Sequence, residues 1–175
     1  MKVIIAEKPS VAQQIAAVVG ATARKDGYIE GGGYAVTWAF GHLVGPAMPE
    51  AYGIEGFKRE NLPILPETFV LEPRRVKSGK EYKPDPGAVK QLAVLKELFS
   101  RTERIVVATD AGREGELIFR FIYHYLDCKT PFDRLWISSL TERAIREGLA
   151  NIRPGSEYDD LYLSARARCE ADWIV

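Results

Sequence analysis

Two short clusters of charged residues follow apolar runs, and their residue types suit chemistry at a phosphate group. The clusters consist of Glu7 and Lys8, after the apolar residues 3–6, and of Asp110, Arg113, Glu114 and Glu116, after the apolar residues 105–108. Carboxylate oxygens bind Mg²⁺, which completes its coordination with water and phosphate oxygens. A neighbouring acid can move a proton, and a neighbouring cation can stabilise the charge of a transferring phosphoryl group. The two clusters therefore predict a metal-assisted phosphate site.

The acidic turn also has a purely structural interpretation. Acidic residues in the first turn of a helix stabilise the helix dipole, so residues 110–116 could form a helix start and nothing more. Gly112 and Gly115 lie in the same turn, and glycines let a ligand approach the backbone closely. These glycines and Arg113 favour a binding site, although the residues alone leave both interpretations open.

The hydrophobic pattern predicts the elements that carry these clusters. Strands are predicted at residues 3–6, 105–108 and 135–137, and helices at 11–19, 88–99, 113–125 and from 141 onward. The alternation of strands and helices indicates a small, mostly parallel sheet flanked by helices, an α/β fold. In such a sheet ligands bind at the carboxyl ends of the strands, so both clusters are expected at one edge.

Three further segments complete the prediction. Residues 22–39 have the pattern of a β-hairpin with a turn at 31–33. Residues 41–86 hold all but three of the ten prolines and predict a loop-rich insertion. Residues 71–90 are locally basic and are interpreted as a mobile surface loop, with non-specific phosphate contact as the alternative. A last helix over 159–175 has no stop signal, which indicates an excised piece or a remainder that packs elsewhere.

Composition excludes several classes of protein. The 175 residues are 46% hydrophobic and 27% charged, which suits one globular domain. No apolar run approaches the roughly 18 residues of a membrane helix, and the amino terminus lacks a signal-peptide pattern, so a cytoplasmic location is expected. Two cysteines outside any metal-site spacing make a disulfide framework improbable. With 24 basic and 24 acidic residues, a polyanion site must come from local arrangement.

Four motifs together carry a family resemblance. They are Ala6-Glu7-Lys8-Pro9-Ser10-Val11-Ala12, Trp38-Ala39-Phe40-Gly41-His42-Leu43, the run from Asp110 to Glu116, and Ala165-Arg166-Ala167-Arg168 with Ala171-Asp172-Trp173. The chain resembles the amino-terminal part of type IA DNA topoisomerases, and of topoisomerase III in particular. The motifs occur in the family's order and cover nearly the whole chain.

The resemblance implies a Toprim domain over residues 1–153, followed by the truncated first helix of the next domain over 154–175. It implies an enzyme that changes DNA topology by cleaving and rejoining one strand through a 5′-phosphotyrosine. The tyrosine would belong to a later domain, so this chain alone is expected to be inactive. The implied partners are single-stranded DNA and the remaining topoisomerase domains, and the implied location is cytoplasmic and nucleoid-associated, with no membrane.

The resemblance also assigns roles to individual residues. Glu7 matches a glutamate of proton transfer, Lys8 a lysine that stabilises the scissile phosphate, and Arg113 the arginine of the acidic motif. Asp110 and Glu114 match ligands of the cofactor Mg²⁺, with Glu116 as a further ligand, and His42 and Arg168 match DNA contacts. From residue type alone, His42 could equally be a structural histidine and Arg168 a solvated arginine.

Gly112 departs from the family pattern, because it stands where a second aspartate is common. One carboxylate fewer predicts weaker Mg²⁺ binding and makes a strict two-metal mechanism doubtful. Two alternative functions stay open. The first is a self-contained Toprim nuclease that activates water, and the second is a non-catalytic module that binds DNA or a nucleotide.

Overall fold

The computed structural model describes residues 1–175. The strands are β1 (Lys2–Ala6), β2 (Ala23–Lys25), β3 (Tyr28–Gly31), β4 (Tyr34–Trp38), β5 (Val44–Pro46), β6 (Leu71–Pro73), β7 (Arg75–Ser78), β8 (Glu81–Pro84), β9 (Ile105–Ala108), β10 (Phe132–Arg134) and β11 (Arg153–Pro154). The helices are α1 (Pro9–Val19), α2 (Pro86–Ser100), α3 (Arg113–Tyr125), α4 (Glu142–Ala150) and α5 (Asp159–Ile174), with 3₁₀ turns at Pro49–Tyr52, Arg59–Asn61 and Gly155–Tyr158. None of the helices is long and apolar enough to cross a membrane.

A seven-stranded sheet organises the molecule, in the order β11-β10-β9-β1-β4-β3-β2. The four central strands β10, β9, β1 and β4 are parallel, and the outer strands are antiparallel. The predicted mostly parallel α/β sheet is therefore confirmed, as is the hairpin of residues 22–39. The carboxyl ends of β1 and β9 are neighbours, because Ala6 is paired with Ala108.

The two faces of the sheet carry separate apolar clusters. Val3 and Ile5 of β1 pack into a cluster with α2, α3 and α5, whereas Ile4 and Ala6 pack into a cluster with α1 and α4. Successive strand residues point to opposite faces, so a central strand covered on both sides needs an unbroken apolar sequence. This burial explains why residues 3–6 and 105–108 are apolar throughout.

The insertion after β4 contains only short elements, as its prolines predict, but the prediction of a loop over 71–90 is wrong in its centre. Residues 75–78 and 81–84 form an antiparallel hairpin around a turn at 79–80. Every residue of its two strands is exposed. Alternating apolar residues are the usual sign of a strand, and a hairpin with no buried face lacks that sign.

Two predicted boundaries differ from the structure. The strand predicted at residues 135–137 lies at Phe132–Arg134. Leu135 is buried and its backbone N–H donates to the Val107 carbonyl at 2.9 Å, whereas Trp136 is 42% exposed. The apolar run therefore extends beyond the strand. Helix α5 packs on α3 through Tyr162 and Ala165, and a domain boundary after residue 153 stays a prediction.

Candidate active site

The first part of the site is a pair of carboxyl groups at the ends of β1 and β9. The backbone N–H of Asp110 donates to Glu7 Oε1 at 3.2 Å, so the two residues are neighbours at the ends of their strands. Partial burial, followed by the interaction with the Asp110 side chain and its negative charge, raises the pKa of Glu7 to about 7. In the metal-free protein, Glu7 therefore holds a proton for much of the time near neutral pH.

Lys8 lies next to this pair and begins α1. It is exposed, has an extended backbone at the N-cap position, and precedes Pro9 in the first helical turn, where proline is favoured. Its positive charge opposes the rise in the pKa of Glu7. The strand end and the start of the helix thus present an acid and a cation side by side.

The turn that carries Asp110 depends on two glycines. Gly112 has φ +156° and ψ 178°, a region that only glycine adopts readily. A Cβ on Gly115 would lie 1.9 Å from the Asp110 carbonyl oxygen, far inside van der Waals contact. The Thr109 hydroxyl closes the turn by donating to the Gly115 carbonyl at 2.8 Å. The two glycines and the Thr109 hydroxyl therefore hold the backbone of the turn in the conformation that positions the Asp110 side chain.

Glu114 pairs with a different residue. Its Oε1 contacts Nε2 of His42, which lies in the segment after β4. His42, Arg113, Glu114 and Arg168 line one cleft of about 1220 Å³ that lies between α3, α5 and the insertion. The structure thus brings together these four predicted residues, whereas Glu7 and Lys8 are not among the residues that line the cleft.

Glu116 occupies a different environment from Asp110 and Glu114. It is only 1% exposed, and its Oε2 accepts a hydrogen bond from Arg120 Nε at 3.1 Å. Its Oε1 lies 3.0 Å from Arg134 Nε, although this contact lacks hydrogen-bond geometry. Burial raises the pKa of Glu116, and the two guanidinium groups oppose that shift. Glu116 is thus enclosed by arginines and does not lie with the exposed carboxylates.

A comparison with known families bears on this arrangement. A family model described as "Toprim domain" matches residues 2–140. The chain belongs to the Toprim domain family. Toprim-domain relatives include DNA topoisomerase 3 of Bacillus cereus (strain ATCC 14579) and of Bacillus subtilis (strain 168), each 48% identical over 99% of this chain. The chain spans only 23% of the length of either relative.

A solved structure supports the same fold. The full-length topoisomerase I from Thermotoga maritima matches this Toprim chain with a TM-score of 0.51 and 26% sequence identity. The match covers 87% of this chain and 21% of that chain. The similarity therefore concerns one part of a longer protein.

Arg134 was not identified from the sequence; it is a buried residue whose hydrogen bonds stabilise the acidic turn of this Toprim domain. It is 1% exposed, and its guanidinium donates to the Thr109 hydroxyl at 2.8 Å and to the Asp110 carbonyl at 2.7 Å. Arg120 is also buried and donates to Asp159 of α5 at 2.8 Å. The sequence contains a signal for Arg120, which interrupts the apolar residues 117–123, whereas Arg134 follows Asp133 and has no such signal.

The residues at the edge of the Toprim sheet fit a weakly held divalent cation. No group of three or more His, Cys, Asp or Glu side chains is arranged to hold a metal ion. However, Asp110 and Glu114 are exposed carboxylates of the acidic turn, and Glu7 lies beside Asp110. Mg²⁺ is commonly bound by one or two carboxylates, with water and phosphate completing its shell. The donor set therefore suits a single ion.

Proposed function

We propose that this chain is the Toprim part of a type IA DNA topoisomerase, of the topoisomerase III kind. In this proposal the carboxyl edge of the sheet binds one phosphodiester of a single DNA strand. The strand is cleaved and rejoined through a 5′-phosphotyrosine, with the tyrosine supplied by another part of the protein. The identity to proteins named DNA topoisomerase 3 supports the substrate, and a cytoplasmic, nucleoid-associated location follows from it.

The observation that carries the proposal is the carboxyl pair of Glu7 and Asp110. A DNA 3′-oxygen is a poor leaving group unless it receives a proton as its bond to phosphorus breaks. Glu7, with a pKa of about 7, is protonated often enough near neutral pH to donate that proton. An ordinary exposed glutamate, with a pKa near 4.3, would rarely be protonated at that pH.

The neighbouring cations have complementary roles in this proposal. Negative charge builds up on the phosphoryl oxygens in the transition state, and a fixed positive charge beside them stabilises it. Lys8 stands next to Glu7 at the start of α1, and Arg113 stands at the start of α3. On cleavage the tyrosine gives its hydroxyl proton to solvent as its oxygen bonds to phosphorus. During rejoining the 3′-hydroxyl attacks that phosphorus and gives its proton to Glu7, while the tyrosine oxygen leaves and takes a proton from solvent.

His42 and Arg168 are proposed to hold the DNA strand. Both line the cleft beside Glu114, and Arg168 approaches it from α5. Asp110 would hold Mg²⁺, with Glu114 as a further candidate ligand, and Glu7 would stay free of the metal to carry the proton. When bound, the ion would neutralise charge on the scissile phosphate. Glu116 is not part of this proposal, because its carboxylate is enclosed by Arg120 and Arg134.

The test is cleavage of a labelled single-stranded oligonucleotide by the full-length protein that contains this chain. Removing a general acid typically costs a factor of about 10² to 10⁴ in rate, so Glu7→Gln should slow cleavage by that amount. Glu103→Gln is the matched control, because Glu103 is exposed and precedes β9, at the opposite end of the strand from Asp110. Wild-type cleavage by Glu7→Gln would refute the proposed role of Glu7.

The isolated chain provides a second test. Incubated with supercoiled plasmid and Mg²⁺, it should leave the plasmid unchanged, since the proposal draws the tyrosine from elsewhere. Nicked or linear plasmid that disappears with Asp110→Asn would instead identify a self-contained nuclease. That result would overturn the topoisomerase proposal.

A further inference from the structure

The hairpin of residues 75–84 is an exposed, positively charged element that has no role in the proposed function. Its cations are Arg75, Lys77, Lys80 and Lys83, and its one acidic residue is Glu81. Lysines 58, 90 and 129 form ion pairs elsewhere in the molecule, whereas the three hairpin lysines form none. In a chain with a formal net charge of zero, this is a local concentration of unpaired positive charge.

The base of the hairpin is fixed to the edge of the site. Arg74 Nε donates to Asp85 Oδ2 at 2.7 Å, and the Arg74 guanidinium lies over the Phe40 ring at 4.8 Å. The backbone N–H of Arg74 donates to the Leu43 carbonyl at 2.8 Å. Phe40 and Leu43 flank His42, so the hairpin projects from the segment that carries a predicted DNA contact. A two-stranded hairpin has little stability alone, and these contacts orient it.

The hairpin also provides an aromatic ring at the cleft. Tyr82 is 64% exposed and is paired with Lys77, so the two side chains lie on one face of the hairpin. Tyr82 and Arg75 line the cleft from the hairpin, and Arg113 and Arg168 line it from α3 and α5. The cleft therefore has arginines from both sides and an exposed ring from one. Its lining also includes Glu50, Glu72, Glu81, Glu114 and Asp172. The lining itself thus has no excess of positive charge, and the hairpin lysines lie outside it.

We propose that this hairpin is a second binding element for single-stranded nucleic acid. Lys77, on the face of Tyr82, and Lys80, in the turn, bind backbone phosphates, and Tyr82 stacks on a base. Lys83 lies on the opposite face and is not part of the proposal. Charged grooves with exposed aromatic rings bind single strands in this way, without reading their sequence. An acidic peptide would satisfy the lysines but would not use the ring face. The inference rests on the proposed function, because it extends the path of the same strand from His42 along the cleft.

The test is fluorescence anisotropy of a labelled oligothymidylate with the 175-residue chain, at several salt concentrations. Each phosphate contact with a single strand contributes about 0.7 to the slope of log affinity against log salt. The double variant Lys77→Gln, Lys80→Gln should therefore lower the slope by about 1.4 and weaken binding by about tenfold or more near 0.1 M salt. Tyr82→Ala should weaken binding by about fivefold or more through lost stacking.

Matched controls separate this site from bulk charge. The double variant Lys2→Gln, Lys96→Gln removes the same charge from exposed positions outside the hairpin and should leave the slope unchanged. An abasic oligomer of the same length should bind wild type and Tyr82→Ala equally, because it offers no base to stack. All variants should keep the wild-type thermal midpoint, since every altered side chain is exposed.

Several results would overturn the proposal. Wild-type affinity and slope in the hairpin double variant would exclude the two lysines, and equal loss in the control double variant would show an effect of total charge alone. Displacement of the oligonucleotide by polyglutamate at equal charge would exclude a nucleic-acid site. If the hairpin variants bind the oligonucleotide like wild type while Glu7→Gln still slows cleavage, the proposed function survives without the hairpin. If Glu7→Gln cleaves normally while the hairpin variants lose binding, only the chemistry is refuted.

Discussion

Replacing Glu116 by glutamine tests whether this carboxylate supports the fold or binds a metal. Glu116 and Arg134 are each only 1% exposed, and Arg120 is 7% exposed. Removing one partner of a buried ion pair costs about 3–5 kcal/mol, because the opposite charge stays buried. The remaining partners reduce that loss, since Arg120 keeps Asp159, and Arg134 keeps three oxygen acceptors. We therefore expect Glu116→Gln to lower the free energy of unfolding by about 3 kcal/mol.

The assay is urea unfolding of the chain in buffer with a chelator, followed by circular dichroism. Glu114→Gln is the control, because this side chain is 70% exposed and lies in the same helical turn. Its loss should cost no more than about 1 kcal/mol from the helix dipole. If Glu116→Gln is as stable as wild type without metal but loses stabilisation by Mg²⁺, Glu116 is a ligand and the ion-pair reasoning is refuted.

Three further predictions concern the acidic turn and the adjacent Glu7. Gly115→Ala should lower the thermal midpoint and remove Mg²⁺-induced shifts of Asp110, because its Cβ would lie 1.9 Å from the Asp110 carbonyl oxygen; a variant with wild-type values would contradict this geometry. Asp110→Asn should lower the pKa of Glu7 from about 7 while keeping it above its usual value, because burial is the largest cause of the shift. Without metal, the folded state binds the Glu7 proton more tightly than the unfolded state, so stability should fall as pH rises from 4.5 to about 7. Glu7→Gln should remove that slope in chelator-containing buffer, and an unchanged slope would assign it to other groups.

The central sheet was predictable because its strands are buried on both faces. The side chains of residues 3–6 and 105–108 are all apolar and fill two separate clusters. Each sequence is therefore a continuous apolar run, which is the pattern of a strand buried on both faces. The hairpin of residues 75–84 was not predictable in this way. None of its strand residues contributes to the core, and its register depends on a short turn and on Arg74 at its base.

Only some of the predicted site residues lie together in the structure, and helical geometry explains why. Glu114 and Glu116 are two residues apart in α3, and residues at that spacing do not face the same side of a helix. One therefore reaches the cleft, while the other turns toward the core. Arg120 is four residues after Glu116 and meets it on the buried face. The spacing was present in the sequence, but Arg134 joins the pair only through the packing of β10 beside β9.

The buried arginines connect the acidic turn to α5. Asp159 at the start of α5 binds Arg120, Arg120 and Arg134 both contact Glu116, and Arg134 donates to the Asp110 carbonyl. The position of Asp110 and the orientation of the helix that carries Arg168 therefore depend on the same contacts. Loss of DNA binding in a variant of this network does not identify a DNA contact, because both sides of the site move. Arg168→Ala lies outside the network, so its effect on binding reports the cleft alone.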